Sequence, residues 1–179
     1  MTDRSLPRGI DHIGITVADL EAAAHFLEDA FGAVALYDNV TEAKPQQGSD
    51  TERTLGLPAG TSIRHMRMMR LGSGASIELF QMAVPAGQHP PVLASDLGLQ
   101  HFAVYCDDIH AAAKRFEAAG GTLLTSPQPL LGIEKADGNA FCYARAPWST
   151  VIELIAWPTD AAWTREASTS RHKPEPRDT

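Results

Sequence analysis

Two kinds of periodicity follow one another at the start of the chain. Residues 11–17 alternate His12, Gly14 and Thr16 with Ile13, Ile15 and Val17, the two-residue period of a half-buried strand. Asp19 then stands at an N-cap position, and Leu20, Ala23, Ala24, Leu27, Ala30 and Phe31 recur at helical spacing until Gly32 closes the run. Strand patterns follow at residues 33–40, 63–71 and 75–82, the last two joined by the turn Gly72-Ser73-Gly74. The first half thus predicts the order βαβββ. The second half predicts it again, with a strand at 99–106, a helix at 108–119, and strands at 122–125, 140–144 and 150–156.

The repetition reaches individual residues. With His12 set on His101, an offset of 89, Asp19 falls on Asp108, Ala22, Ala23 and Ala24 on Ala111, Ala112 and Ala113, Glu28 on Glu117, and Gly32 on Gly121. The closing strands agree as well, Ile77-Glu78-Leu79 against Ile152-Glu153-Leu154. The two glutamates lie only 75 apart, so the first copy holds 14 extra residues. They are placed at 38–61, a polar segment that reads as a surface loop or, alternatively, as cover over a site. The expected fold class is α+β, two tandem βαβββ modules with curved mixed sheets around a cleft. The modules span 1–83 and 99–158, separated by a linker at 84–98 that carries Pro85, Pro90 and Pro91. Residues 159–179 form a polar C-terminal tail in which Trp163 anchors a short helix and 168–179 are expected to be mobile.

Composition narrows the partners. Fifteen basic against 22 acidic residues give a formal net charge of −7, which offers no general attraction to nucleic acid or to anionic membranes. Residues 1–8 are polar with no apolar run behind them, and no stretch approaches a membrane span, so a cytoplasmic protein is expected. Cys106 and Cys142 sit in strand-like apolar surroundings and read as buried thiols.

Four residues interrupt apolar strands at equivalent places: His12 and His101 in the opening strands, Glu78 and Glu153 in the closing ones. A carboxylate between Ile and Leu is not buried without compensation, because an isolated charge in a low-dielectric interior costs several kcal/mol. If opening and closing strands are neighbours, each module sets a histidine and a glutamate on one face. Two imidazoles and two carboxylates suit Zn, Ni, Co, Mn or Fe(II) better than Ca or Mg. His25, His65, His89, His110 and His172 have no partner of their own type in the repeat. Arg64, Arg67 and Arg70 stud one strand; a solvated sheet face is their simplest reading, and an anchor for an anionic substrate tail the alternative.

On these residues the chain resembles the vicinal oxygen chelate superfamily, which includes glyoxalase I, methylmalonyl-CoA epimerase, extradiol dioxygenases and the bleomycin and fosfomycin resistance proteins. The motifs are Ile10-Asp11-His12-Ile13-Gly14, Ser76-Ile77-Glu78-Leu79, Leu99-Gln100-His101-Phe102-Ala103 and Ala146-Pro147-Trp148 through Ile152-Glu153-Leu154. Ser149 stands where glycine is common in that superfamily. The resemblance implies His12, Glu78, His101 and Glu153 as metal ligands, and a small-molecule substrate with two vicinal oxygens. It also implies a homodimer. The order His, Glu, His, Glu is similar to glyoxalase I. That likeness implies a lyase or isomerase moving a proton next to a carbonyl through a metal-stabilised enediolate or enolate, with Glu153 as the base and Glu78 returning the proton. Zn, Ni, Co or Mn would serve. The alternatives are a methylmalonyl-CoA-type epimerase, an Fe(II) extradiol-type dioxygenase, and a non-catalytic antibiotic-binding resistance protein.

Overall fold

The computed structural model describes residues 7 and 9–176, so the expectation for residues 1–8 lies, apart from Pro7, outside the described residues. Two five-stranded mixed sheets are built to one plan. In the first, β1 (His12–Val17) runs parallel to β5 (Ser76–Ala83). Next comes the antiparallel β4 (Ser62–Arg70), followed by β2 (Val34–Val40), with the short β3 (Gln46–Gln47) also on β4. In the second, β6 (His101–Tyr105) runs parallel to β10 (Val151–Ala156). The antiparallel β9 (Ala140–Arg145) follows, and both β7 (Thr122–Leu123) and β8 (Gln128–Pro129) pair with it. The expected βαβββ order is present twice.

The two copies spend their residues differently. β2 and β4 have 7 and 9 residues, against 2 and 6 in β7 and β9, so part of the excess in the first half lengthens strands. Another part builds α2 (Ser49–Leu55), closed by Gly56 in the left-handed region at φ 66°. The segment 38–61 is therefore not a plain loop. In the second half the strand expected at 122–125 stops at Leu123, and its lane on β9 resumes at β8.

The chain forms two compact units. One runs up to Leu20 and takes Ala33–Gly87; the other takes Glu21–Gly32 and the chain from Gln88. Nearly all of α1 (Leu20–Phe31) thus belongs to the unit of the second sheet. Aromatic packing explains it: Phe26 meets Phe116 edge-on at 5.1 Å and Trp148 at 5.2 Å, and Phe31 lies 5.7 Å from Phe116. Helical periodicity identifies α1 as amphipathic but not what its apolar face covers.

In the first unit, Ile15, Val17, Met69, Ile77 and Leu79 are buried on one face of the sheet, and Val40, Ile63 and Phe80 cluster on the other. In the second, Phe102, Cys142, Ala144, Ile152 and Leu154 are buried beside α3 (Ile109–Ala118), whose Phe116 is fully enclosed. Asp108 caps α3 by accepting from the N–H groups of His110 and Ala111. The repeated glycines serve different needs. Gly32 ends α1 at φ 59°, whereas a Cβ on Gly121 would collide with the Phe116 ring.

Two side chains of the C-terminal segment have partners that its polar composition does not suggest, and residues 177–179 lie outside the described residues. Lys173 Nζ lies 4.9 Å from the Trp157 ring centre and 5.0 Å from that of Tyr105, and Arg171 pairs with Glu134 at 2.7 Å. Cation–π attraction and an ion pair supply a hold that polar composition does not reveal. Trp163 does sit in a short helical turn, Ala162–Arg165. Both cysteines are free thiols, and burial pushes Cys106 up to about 12 and Cys142 up to about 11.

Ser149 is the only non-glycine residue at positive φ, 77°, among the described residues. The preference for glycine there in the resembled superfamily has this backbone cause. Ser149→Gly should relieve strain of about 1–2 kcal/mol while adding about 0.5–1 kcal/mol of chain entropy cost. The expected result is a urea midpoint raised by the equivalent of about 0.5–1 kcal/mol.

Candidate metal centre

The parallel register sets the geometry of both candidate pairs. In β1 and β5, Ser76 lies beside His12 and Glu78 beside Gly14, so the histidine and glutamate share a face two residues apart along the strands. His12 Nε2 comes to 3.3 Å from Glu78 Oε2. In β6 and β10, Val151 lies beside His101 and Glu153 beside Ala103, the same diagonal, and His101 Nε2 comes to 3.2 Å from Glu153 Oε2. The glutamate side chains are 17% and 13% exposed, so in each unit a nearly buried carboxylate has the imidazole as its partner.

The far side of each ring is also held. Asp11 Oδ1 is 2.7 Å from His12 Nδ1, and Gln100 Oε1 is 2.8 Å from His101 Nδ1. Both partners are oxygens, so Nδ1 carries the proton and donates it. The Nε2 of each ring then faces a carboxylate oxygen. Two lone pairs so close repel unless a proton or a metal ion lies between them. An Nδ1–H donating outward with Nε2 turned inward is the arrangement of a metal-ligating histidine. The donor set therefore fits a divalent ion of intermediate hardness. The alternative to an ion is a proton: the hydrogen bond to Asp11 raises the pKa of His12, desolvation opposes this, and the charge of Glu78 adds to the rise. Among the described residues no group of three or more His, Cys, Asp or Glu is assembled as a metal site, so the structure shows the ligand candidates as pairs.

Each pair has distinct surroundings. Tyr143 on β9 lies directly opposite Glu153, and its ring packs edge-on against His101 at 5.1 Å. Burial, then the charge of Glu153, raises its hydroxyl pKa and keeps the phenol protonated. Sequence reasoning missed Tyr143; strand alternation through residues 141, 143 and 145 marks its face, but only the register brings it to Glu153. The residue opposite Glu78 is Met68. Beside Glu78 opens a cavity of about 670 Å³, with Ile63, Met66 and Phe80 on the sheet side and Gln46, Asp50 and Thr54 from the insertion facing them.

The other singled-out residues find ordinary roles. Arg67 donates through Nε and Nη2 to both Asp38 oxygens, at 2.6 and 3.0 Å, and His65 Nε2 lies 3.1 Å from Oδ2. The pairing of β2 with β4 sets Asp38 across from Arg67. Arg64 and Arg70 are exposed, as the solvated-face reading expects, and so are His25, His89, His110 and His172.

The sequence profile of the glyoxalase/bleomycin resistance protein/dioxygenase superfamily matches residues 11–143, most of the chain. The chain belongs to that superfamily. The chain is 29% identical over 177 residues to a 2-epi-5-epi-valiolone epimerase from an Actinomyces species, covering 98% of this chain and 94% of the relative. It is also 29% identical over 123 residues to an ethylmalonyl-CoA/methylmalonyl-CoA epimerase from Cereibacter sphaeroides, covering 69% and 79%. Among solved structures, a glyoxalase family protein from Bacillus cereus superposes with a TM-score of 0.67 at 20% identity, covering 87% of this chain and 98% of that one. A fosfomycin resistance protein from Listeria monocytogenes gives 0.55 at 16% identity, covering 84% and 94%. These two likenesses support the superfamily fold. No helix among the described residues is long and apolar enough to cross a membrane.

The Arg67 guanidinium foremost, with His65 assisting against desolvation, holds Asp38 at about 2, below its ordinary 3.8. A depressed carboxylate stabilises the fold fully above the ordinary value, and that contribution is lost as the pH falls through the folded one. Asp38→Asn should therefore cost about 1–2 kcal/mol at pH 7, after allowance for partial exposure. In urea titrations across pH the gap to wild type should close as the pH approaches about 2. A gap that persists there would contradict the assignment.

Proposed function

We propose that the chain is a metal-dependent isomerase of the epimerase type, which moves a proton at a carbon next to a carbonyl. One observation carries the reading: the duplicated diagonal of a histidine, fixed through Nδ1, against a nearly buried glutamate. In this reading His12, Glu78, His101 and Glu153 are the protein ligands of one divalent ion, Zn, Ni, Co or Mn. Both curated relatives are named as epimerases, which favours epimerisation over a glyoxalase-type lyase reaction.

A bound ion would supply Lewis acidity, polarising a substrate carbonyl so that the neighbouring C–H becomes acidic enough to lose its proton. The rest falls to the chain. Inverting a carbon requires the proton to leave one face and return to the other, hence two bases. The repeat provides two carboxylates: Glu153 takes the proton, Glu78 enters the cycle protonated and gives its proton to the opposite face, and exchange of both with solvent restores the starting state. The Glu78 and Glu153 side chains are only 17% and 13% exposed, which limits the water that reaches either carboxylate. Tyr143, held protonated beside Glu153, is a hydrogen-bond donor for charge that develops on a substrate oxygen. Asp11 and Gln100 fix the imidazole planes so that the Nε2 atoms stay aimed inward.

Glu153→Gln should lower kcat by about 10²–10⁴-fold while an appreciable share of metal is retained, as read from turnover and elemental analysis of the same preparation. Full activity in that variant would remove Glu153 from the proposed role. Asp11→Ala should weaken metal affinity by about 10–100-fold with little change in melting temperature, since it frees the ring without emptying the core.

A further inference from the structure

The repeat extends to a pair of arginines. The offset of 75 that sets Glu78 on Glu153 also sets Arg70 on Arg145. The strand registers give the two the same place: Arg145 stands two residues beyond Tyr143, opposite Glu153, and Arg70 two residues beyond Met68, opposite Glu78. By strand alternation each shares the sheet face of its own unit's glutamate. Arg145 is also level with His101, since Val151 lies beside both.

Burial separates the two arginines. Arg70 is exposed, whereas Arg145 and Arg67 are the half-buried arginines among the described residues. Arg67 commits its Nε and Nη2 to Asp38, at 2.6 and 3.0 Å. Arg145 donates through Nη1 to the Ser149 carbonyl at 3.3 Å, and its Nε–Nη2 edge makes no hydrogen bond or ion pair among the described residues. A guanidinium taken half out of water without an anion is costly, and that edge is the planar fork that fits a carboxylate or phosphate. Ser149 holds one side of the group, so the fork is presented on the face that carries Glu153.

We propose that Arg145 is an oxyanion-binding residue, which takes through Nε and Nη2 a carboxylate or phosphate of a molecule bound at the candidate metal centre. The link to the metal rests on the proposed function; the chemistry of the fork does not.

The first test uses the full chain, isotope-labelled and stripped of metal by a chelator. It is titrated with phosphate, acetate and acetamide while the arginine Nε–Hε signals are followed by NMR, the Arg145 signal being assigned by its loss in Arg145→Lys. We expect that signal to move saturably with phosphate, acetate or both, which names the anionic group, and to ignore acetamide. Arg67, whose fork is taken, should stay still. An Arg145 signal that moves no further than that of the exposed Arg64, or as far with acetamide, would overturn the proposal. In the Co(II)-loaded chain, succinomonohydroxamate and its terminal amide, which chelate through the same two oxygens, are compared by visible absorption. The carboxylate should bind about 10–100-fold more tightly than the amide. That preference should vanish in Arg145→Gln and return in part in Arg145→Lys, with the affinity of the amide unchanged. Equal affinities in wild type, or a preference that survives Arg145→Gln while the melting temperature falls, as a role confined to holding the Ser149 turn requires, would overturn the proposal as well. Failure of both hydroxamates to alter the Co(II) spectrum would count against the metal reading, and the metal-free titration would then decide the oxyanion site by itself.

Discussion

The parallel pairing of first and last strands is the constraint on which the rest depends. A histidine and a glutamate placed in apolar strands are each costly to bury alone. Neighbouring parallel strands, two residues out of step, put the imidazole and carboxylate in contact on one face in both units. The residue before each histidine completes the arrangement by accepting a hydrogen bond from Nδ1. A polar set in which each member restricts the next is well suited to hold an ion, because little reorganisation remains when the ion arrives.

Much of this was legible in the sequence because duplication writes it twice. Periodicity predicted the element order, the offset of His12 on His101 carried the N-cap at Asp19 onto Asp108, and the matching closing strands added Glu78 and Glu153 to the two histidines. What escaped was set by tertiary contact. Periodicity cannot say that the apolar face of α1 meets Phe116 and Trp148 in the second unit. Alternation cannot say that Tyr143 faces Glu153. Arg67 looked like one of three exposed arginines until strand pairing set Asp38 beside it. Polar composition concealed the tethering of Lys173, since cation–π attraction depends on rings supplied from distant positions.

The departures from the repeat are as informative as the repeat. The first unit places methionine opposite its glutamate and adds β3 and α2 beside it; the second places tyrosine there and seats its C-terminal segment on Tyr105 and Trp157. The superfamily assignment accounts for what is shared, whereas the cavity walls of the first unit belong to this chain's own insertion.

The central claim is that the two histidine–glutamate pairs serve one ion. Titration of chelator-stripped protein with Co(II), followed by its visible absorption, measures that directly. The account predicts saturation at one ion per chain, with His12→Ala and His101→Ala each weakening the same binding event. Saturation at two ions, each lost with a different histidine, or binding untouched by either substitution, would contradict it.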